Sequence, residues 1–148
     1  MKTLALNKRA GFDYEILEKF EAGISLFGHE VKSIKTGRLS IKEAFVTARG
    51  QELFLTNAFI PPYGPAGDLP TYETTRPRKL LLHKNEIKKL VGKIRTEGLT
   101  LVPIRVYTKK RLIKLEFALG KGKKKFDKRD KIRKREENRQ IERAFKNG

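Results

Sequence analysis

The sequence predicts a mainly β fold with flanking α. It reads as a small antiparallel β-barrel with short helices, followed by a basic C-terminal tail that is disordered when free. Three observations predict this. Short β-rich segments recur between turn signals from Tyr14 to Leu119. Only residues 83–97 carry a sustained helical repeat. Positive charge also concentrates at one end: residues 119–148 hold 13 basic and 5 acidic side chains, whereas residues 1–118 hold 22 and 12. The expected organisation is therefore a barrel over 1–118 and a tail over 119–148.

The segment from Tyr14 to Phe20 is β-rich and partly alternating, and Gly23–Phe27 reads as a second strand. His29–Thr36 suits a short helix closed by Gly37, with Val31 and Ile34 one turn apart. Ala44–Ala48 and Glu52–Thr56 flank Arg49-Gly50-Gln51, which predicts a hairpin. Five of the six prolines lie between Pro61 and Pro77, so this stretch is a long irregular loop. After the apolar run Leu80-Leu81-Leu82, residues 83–97 place Ile87, Leu90, Val91 and Ile94 on one helical face, and Gly98 ends the helix. Leu99–Tyr107 and Leu112–Leu119 form a final hairpin around Thr108–Arg111. The tail has five large apolar residues: Leu119, Phe126, Ile132, Ile141 and Phe145. These bury too little to offset the entropy of ordering the backbone, although Asp127–Phe145 could fold as a helix on a polyanion.

The net charge of +18 on 148 residues points to a polyanionic partner, with nucleic acid favoured. A membrane surface is disfavoured because the basic regions lack a broad apolar face. There is no cysteine, which removes disulfides, thiolate catalysis and Cys-ligated zinc. No apolar run approaches the ~20 residues of a membrane span, so the expected location is the cytoplasm.

Enzyme chemistry has little to stand on. The only histidines are His29 and His83, and no H-E-x-x-H, phosphate-loop or nucleophile-elbow pattern occurs. Asp13, Glu15, Glu18, Glu21 and Glu30 could in principle hold Mg²⁺, but acidic positions alternating on a strand are more simply its solvated face. The expectation is no catalytic residue, no metal and no cofactor. Binding is better supported. An OB-type barrel grips nucleic acid across an open strand face, using cations for phosphates and flat or apolar groups for bases. Lys8, Arg9, Arg76, Arg78, Lys79 and Lys114, with Phe12, Tyr63 and Tyr72, are the residues available for it.

A series of motifs in order then points to a family. They are Asn7-Lys8-Arg9-Ala10; Phe20–Ile24; Gly28–Ser33; Asn57–Ile60 with Pro62-Tyr63; Thr75–Lys84; and Gly98–Pro103. The series closes with Gly120–Lys124 and Asp127-Lys128-Arg129. The chain resembles the small protein B family, the bacterial SsrA-binding proteins that partner transfer-messenger RNA. The resemblance implies an OB-type barrel that binds the tRNA-like domain of that RNA. It also implies a role in aminoacylation by alanyl-tRNA synthetase and delivery with GTP-bound elongation factor Tu to stalled ribosomes for trans-translation. It implies an RNA face at Glu21, Leu81, His83 and Lys114 with Asn7, Lys8 and Arg9 nearby, and the cations Arg78 and Lys79 join them on charge to give nine expected RNA-binding residues. It further implies a tail engaging the message channel and decoding centre through Gly122, Lys123, Lys124, Asp127, Lys128, Arg129 and Ile141. The free protein is expected to be a monomer. Phe12 stands where members commonly have His, Gly120 where Ala is usual, and Phe126 where His or Tyr is frequent. The other reading is a general OB-type RNA chaperone or ribosome-associated factor.

Overall fold

The computed structural model describes residues 1–64 and 71–123. In chain order the elements are β1 (Lys2–Leu6), α1 (Ala10–Asp13), β2 (Tyr14–Ile24), α2 (Gly28–Lys35), β3 (Phe45–Arg49) and β4 (Glu52–Thr56). They continue with β5 (Arg78–Leu81), α3 (Lys84–Glu97), β6 (Thr100–Lys109) and β7 (Leu112–Gly122). All strand pairs are antiparallel, in the order β1-β6-β7-β2-β5-β4-β3. The sheet curls until β3 lies alongside β6, giving the expected barrel.

Alternation along the strands fills the interior. Ala22, Ile24, Leu53, Leu55, Leu80, Val106, Leu115 and Phe117 point inward and are buried. Phe20 stacks on Phe117 with ring centroids 5.6 Å apart. The helix α3 adds Ile87 and Leu90 to this core, while Val91 and Ile94 pack at its margin. It stops at Gly98, whose φ of 64° needs a residue without a Cβ penalty and whose N–H donates to Ile94 O at 3.1 Å.

Three expectations change. Tyr14–Ile24 is one continuous strand, because β7 pairs along nearly all of it. The N-terminal residues, for which no element was expected, supply β1 and α1. The tail boundary also moves. Leu119 is 1% exposed, and β7 continues to Gly122 opposite Tyr14. Beyond the strand, the Lys123 N–H donates to Asp13 O at 3.1 Å and its ammonium to Gly11 O at 2.8 Å. Residues 119–123 are therefore part of the body. Lys124, Asp127, Lys128, Arg129 and Ile141 lie outside the described residues. Gly120, where the family resemblance led us to expect Ala, sits in a tight place. A Cβ there would come 3.1 Å from both Tyr14 Cβ and Val102 Cγ2.

Candidate nucleic-acid interface

Strand register builds the site. Gly23 on β2 pairs with Leu81 on β5 and with Lys114 on β7, and Lys114 pairs with Tyr107 on β6. Two residues along β2, on the same face, Glu21 pairs with Glu116, which in turn pairs with Arg105. Gly23 keeps this row open. A Cβ there would come 3.3 Å from Leu81 Cβ, so a side chain would push against Leu81. Parity along β5 does the rest: Arg78 and Leu80 are buried, whereas Lys79 and Leu81 are exposed. Leu81 is 54% exposed, which leaves its side chain open to a ligand. At the start of α3, His83 faces solvent as the N-cap residue.

These residues line one groove of about 740 Å³, which gathers Glu21, Gly23, Lys79, Leu81, His83 and Lys114. Five of the nine residues expected on an RNA face therefore come together. Asn7 and Arg9 do not; they line a separate cavity beside Phe45 and Pro103. There the Asn7 amide donates to Pro103 O at 2.9 Å, and the Arg9 guanidinium lies 5.2 Å from the Phe12 ring centroid. Lys8, next to them in the chain, is exposed.

Within the groove, the Tyr107 hydroxyl donates to Glu21 Oε2, and Lys109 Nζ lies 3.4 Å from the same oxygen. The hydroxyl bond, opposed by partial burial and helped by the charges of Lys109 and Lys114, holds the Glu21 carboxyl below its usual range. Burial and the bond to Glu21 push the Tyr107 hydroxyl well above its ordinary value. Glu21 thus stays ionised at neutral pH. Its Oε1 has only a 3.5 Å approach from Lys109, which leaves acceptor capacity for an incoming donor. Tyr107 and Lys109 were not anticipated in the sequence, although both lie on the β6 face that passes Lys114.

Arg78 requires correction. Its side chain is completely buried and cannot reach a ligand. Its guanidinium donates to Glu30 Oε2 at 2.9 and 2.6 Å, to Ala58 O at 2.6 Å and to Thr74 O at 3.0 Å. Glu30, also fully buried, accepts from the Phe27 N–H at 2.8 Å, the Tyr72 hydroxyl at 2.9 Å and the Arg76 guanidinium. Arg76 lies 3.9 Å from the Phe27 ring centroid. Burial alone would raise the Glu30 pKa. The hydrogen bonds from Arg76, Phe27, Arg78 and Tyr72 outweigh it and lower the value from 4.5 to about 2. Burial and the bond to Glu30 raise Tyr72 to about 12. This network ties Tyr72, Thr74, Arg76 and Arg78 to α2, so Arg76, Arg78 and Tyr72 are structural, and Glu30 is committed to them.

Comparisons with known proteins show the family. The family model described as SmpB protein matches residues 4–147. The chain belongs to the SmpB family. The SsrA-binding protein of Trichormus variabilis is 48% identical over 99% of this chain and 94% of its own length. That of Sulfurihydrogenibium sp. is 50% identical over 98% and 95%, and that of Neorickettsia sennetsu 51% over 92% of each. Among solved structures, a chain from "tmRNA-SmpB: a journey to the center of the bacterial ribosome" is similar at 45% identity. It superposes with a TM-score of 0.65, over 81% of this chain and 84% of that one. The groove mixes cationic, apolar and acidic side chains. Lys79 and Lys114 suit phosphates, Leu81 a base or ribose face, and Glu21 an amino group or 2′-hydroxyl.

Proposed function

We propose that this chain binds the tRNA-like domain of transfer-messenger RNA in the groove of Glu21, Lys79, Leu81, His83 and Lys114, and carries that RNA into stalled ribosomes for trans-translation. The observation that carries the reading is the convergence of these five residues, from β2, β5, β7 and the start of α3, in a chain of the SmpB family. Chemically the protein acts by binding, not catalysis. Asn7, Lys8 and Arg9 form a second contact surface in this reading. Gly122 and Lys123 set where the chain leaves the body for the ribosome, with Lys124, Asp127, Lys128, Arg129 and Ile141 following. Elongation factor Tu with GTP and alanyl-tRNA synthetase act on the same RNA. The setting is the cytoplasm; among the described residues no helix is long and apolar enough to cross a membrane.

Equilibrium binding to the tRNA-like domain, with ordinary tRNA and duplex DNA as competitors across a salt series, tests this. Preference for the tRNA-like domain should persist at high salt, where counterion release contributes least. Three curves falling together would instead support a general RNA chaperone driven by the +18 charge. Glu21→Arg adds positive charge yet should abolish the preference, because it removes the acceptor and the partner of Tyr107 and Lys109. A tighter complex with the preference intact would show that charge alone governs this face.

A further inference from the structure

The helix α3 contains a glycine that the fold does not use. Gly92 lies mid-helix, at a cost relative to alanine, and an added Cβ would meet nothing within 4 Å. No packing neighbour requires it to be small. On the same helical face stand Lys88, one turn before it, and Arg95, one turn after. Opposite is the β3–β4 turn, whose Gly50 also has open space where a Cβ would be. Gly50, Gln51, Lys88, Val91, Gly92 and Arg95 line a notch of about 390 Å³.

Two further observations identify an occupant. Gln51 lines both the notch and the groove, so the two are neighbours on the surface. Among the described ion pairs none involves Lys88 or Arg95, whereas Lys79 and Lys93 have carboxylate partners. The helix itself holds five cations against Glu86 and Glu97. We propose that the RNA held in the groove continues across this notch, its sugar–phosphate backbone lying close against Gly92 and Gly50 with phosphates on Lys88 and Arg95. The inference rests on the RNA-binding reading above and extends the interface from the sheet onto α3. Glycine then has a reason: any longer side chain at 92 fills the space the backbone would occupy.

Gly92→Gln separates this from a structural role, because the two have opposite signs. Glutamine is a good helix former on an open face, so the melting temperature should rise by about 3 °C. Affinity for the tRNA-like domain should nonetheless fall by about fivefold or more, since breaking one pairing of a cation with a phosphate costs roughly fivefold near 0.15 M salt. A higher melting temperature with unchanged affinity overturns the proposal. The double variant Lys88→Ala/Arg95→Ala provides a test independent of how residue 92 affects folding. It should lose about thirtyfold in affinity and flatten the log–log salt slope by about 1.8. The exposed pair Lys35→Ala/Arg38→Ala removes equal charge elsewhere and should lose less than about threefold; equal losses in both pairs also overturn the proposal. Leu81→Ala and Lys114→Ala, measured alongside, keep the two readings apart. If they abolish preference while the notch variants do not, only this inference fails; if none has an effect, the groove reading fails.

Discussion

Arg78→Met is expected to lower the free energy of unfolding by about 3–5 kcal/mol, the range for removing one partner of a buried ion pair. The methionine fills much of the volume, so the loss is mainly electrostatic. Glu30 is left buried with Arg76 as its remaining cation, and the Ala58 carbonyl loses its Arg78 donor, whereas the Thr74 carbonyl keeps the Ile60 N–H at 3.0 Å. Urea unfolding followed by circular dichroism measures it; a loss below about 1 kcal/mol would show the network to be dispensable. The same network predicts the acid limb. The folded Glu30 pKa is depressed to about 2 from 4.5. Its stabilisation is therefore complete above 4.5 and is lost as pH falls from there towards 2. Without Arg78 the depression is smaller, so the variant's stability should fall less steeply over that window. At temperatures where it stays folded, its salt slope for RNA binding should match the parent's, since a buried Arg78 meets no phosphate.

The second large effect distinguishes two truncations five residues apart. A chain ending at Ala118 loses Leu119, which is 1% exposed, together with the β7 pairing opposite Tyr14, Glu15 and Ile16. The cost should be about 3–5 kcal/mol, near the upper range for emptying a leucine site. A chain ending at Lys123 keeps all of this, and its melting temperature should equal that of the full-length protein. In the proposed function it also keeps its affinity for the tRNA-like domain while failing to support tagging. Equal stability of the two truncations would place the body boundary at 118 after all.

The parts of the fold that could be read from sequence were those with dense local periodicity. The i, i+3, i+4, i+7 pattern of Ile87, Leu90, Val91 and Ile94 fixed α3 to within a residue, and turn chemistry at Arg49-Gly50-Gln51 placed the first hairpin. β1 escaped because Lys2–Leu6 pairs along only one side, with β6, and has no fully buried residue. Gly120–Gly122 escaped because two glycines and a lysine look like linker until β2 is seen beside them. Arg78 was placed on the wrong face for want of parity. If Leu80 faces the core, then so does Arg78, and Leu81 with Lys79 must face out. What no local pattern could reveal was Glu30 as the counter-charge, because the pair is separated by 48 positions. In the groove, Glu21, Leu81, His83 and Lys114 were named through family resemblance. Tyr107 and Lys109, which hold Glu21 in place, become apparent only once β6 is known to run beside β7.

The strand β7 has Lys114 in the groove near one end and Gly122 at the other. It is hydrogen-bonded along its length between β2 and β6. An antiparallel strand rises about 3.4 Å per residue, so these points stand roughly 27 Å apart on a stiff bar. The bar works as a ruler: wherever the RNA is seated, the chain's exit at Lys123 is fixed at one distance and bearing from it. An inserted pair of residues would preserve every inward and outward face yet lengthen the ruler by about 7 Å.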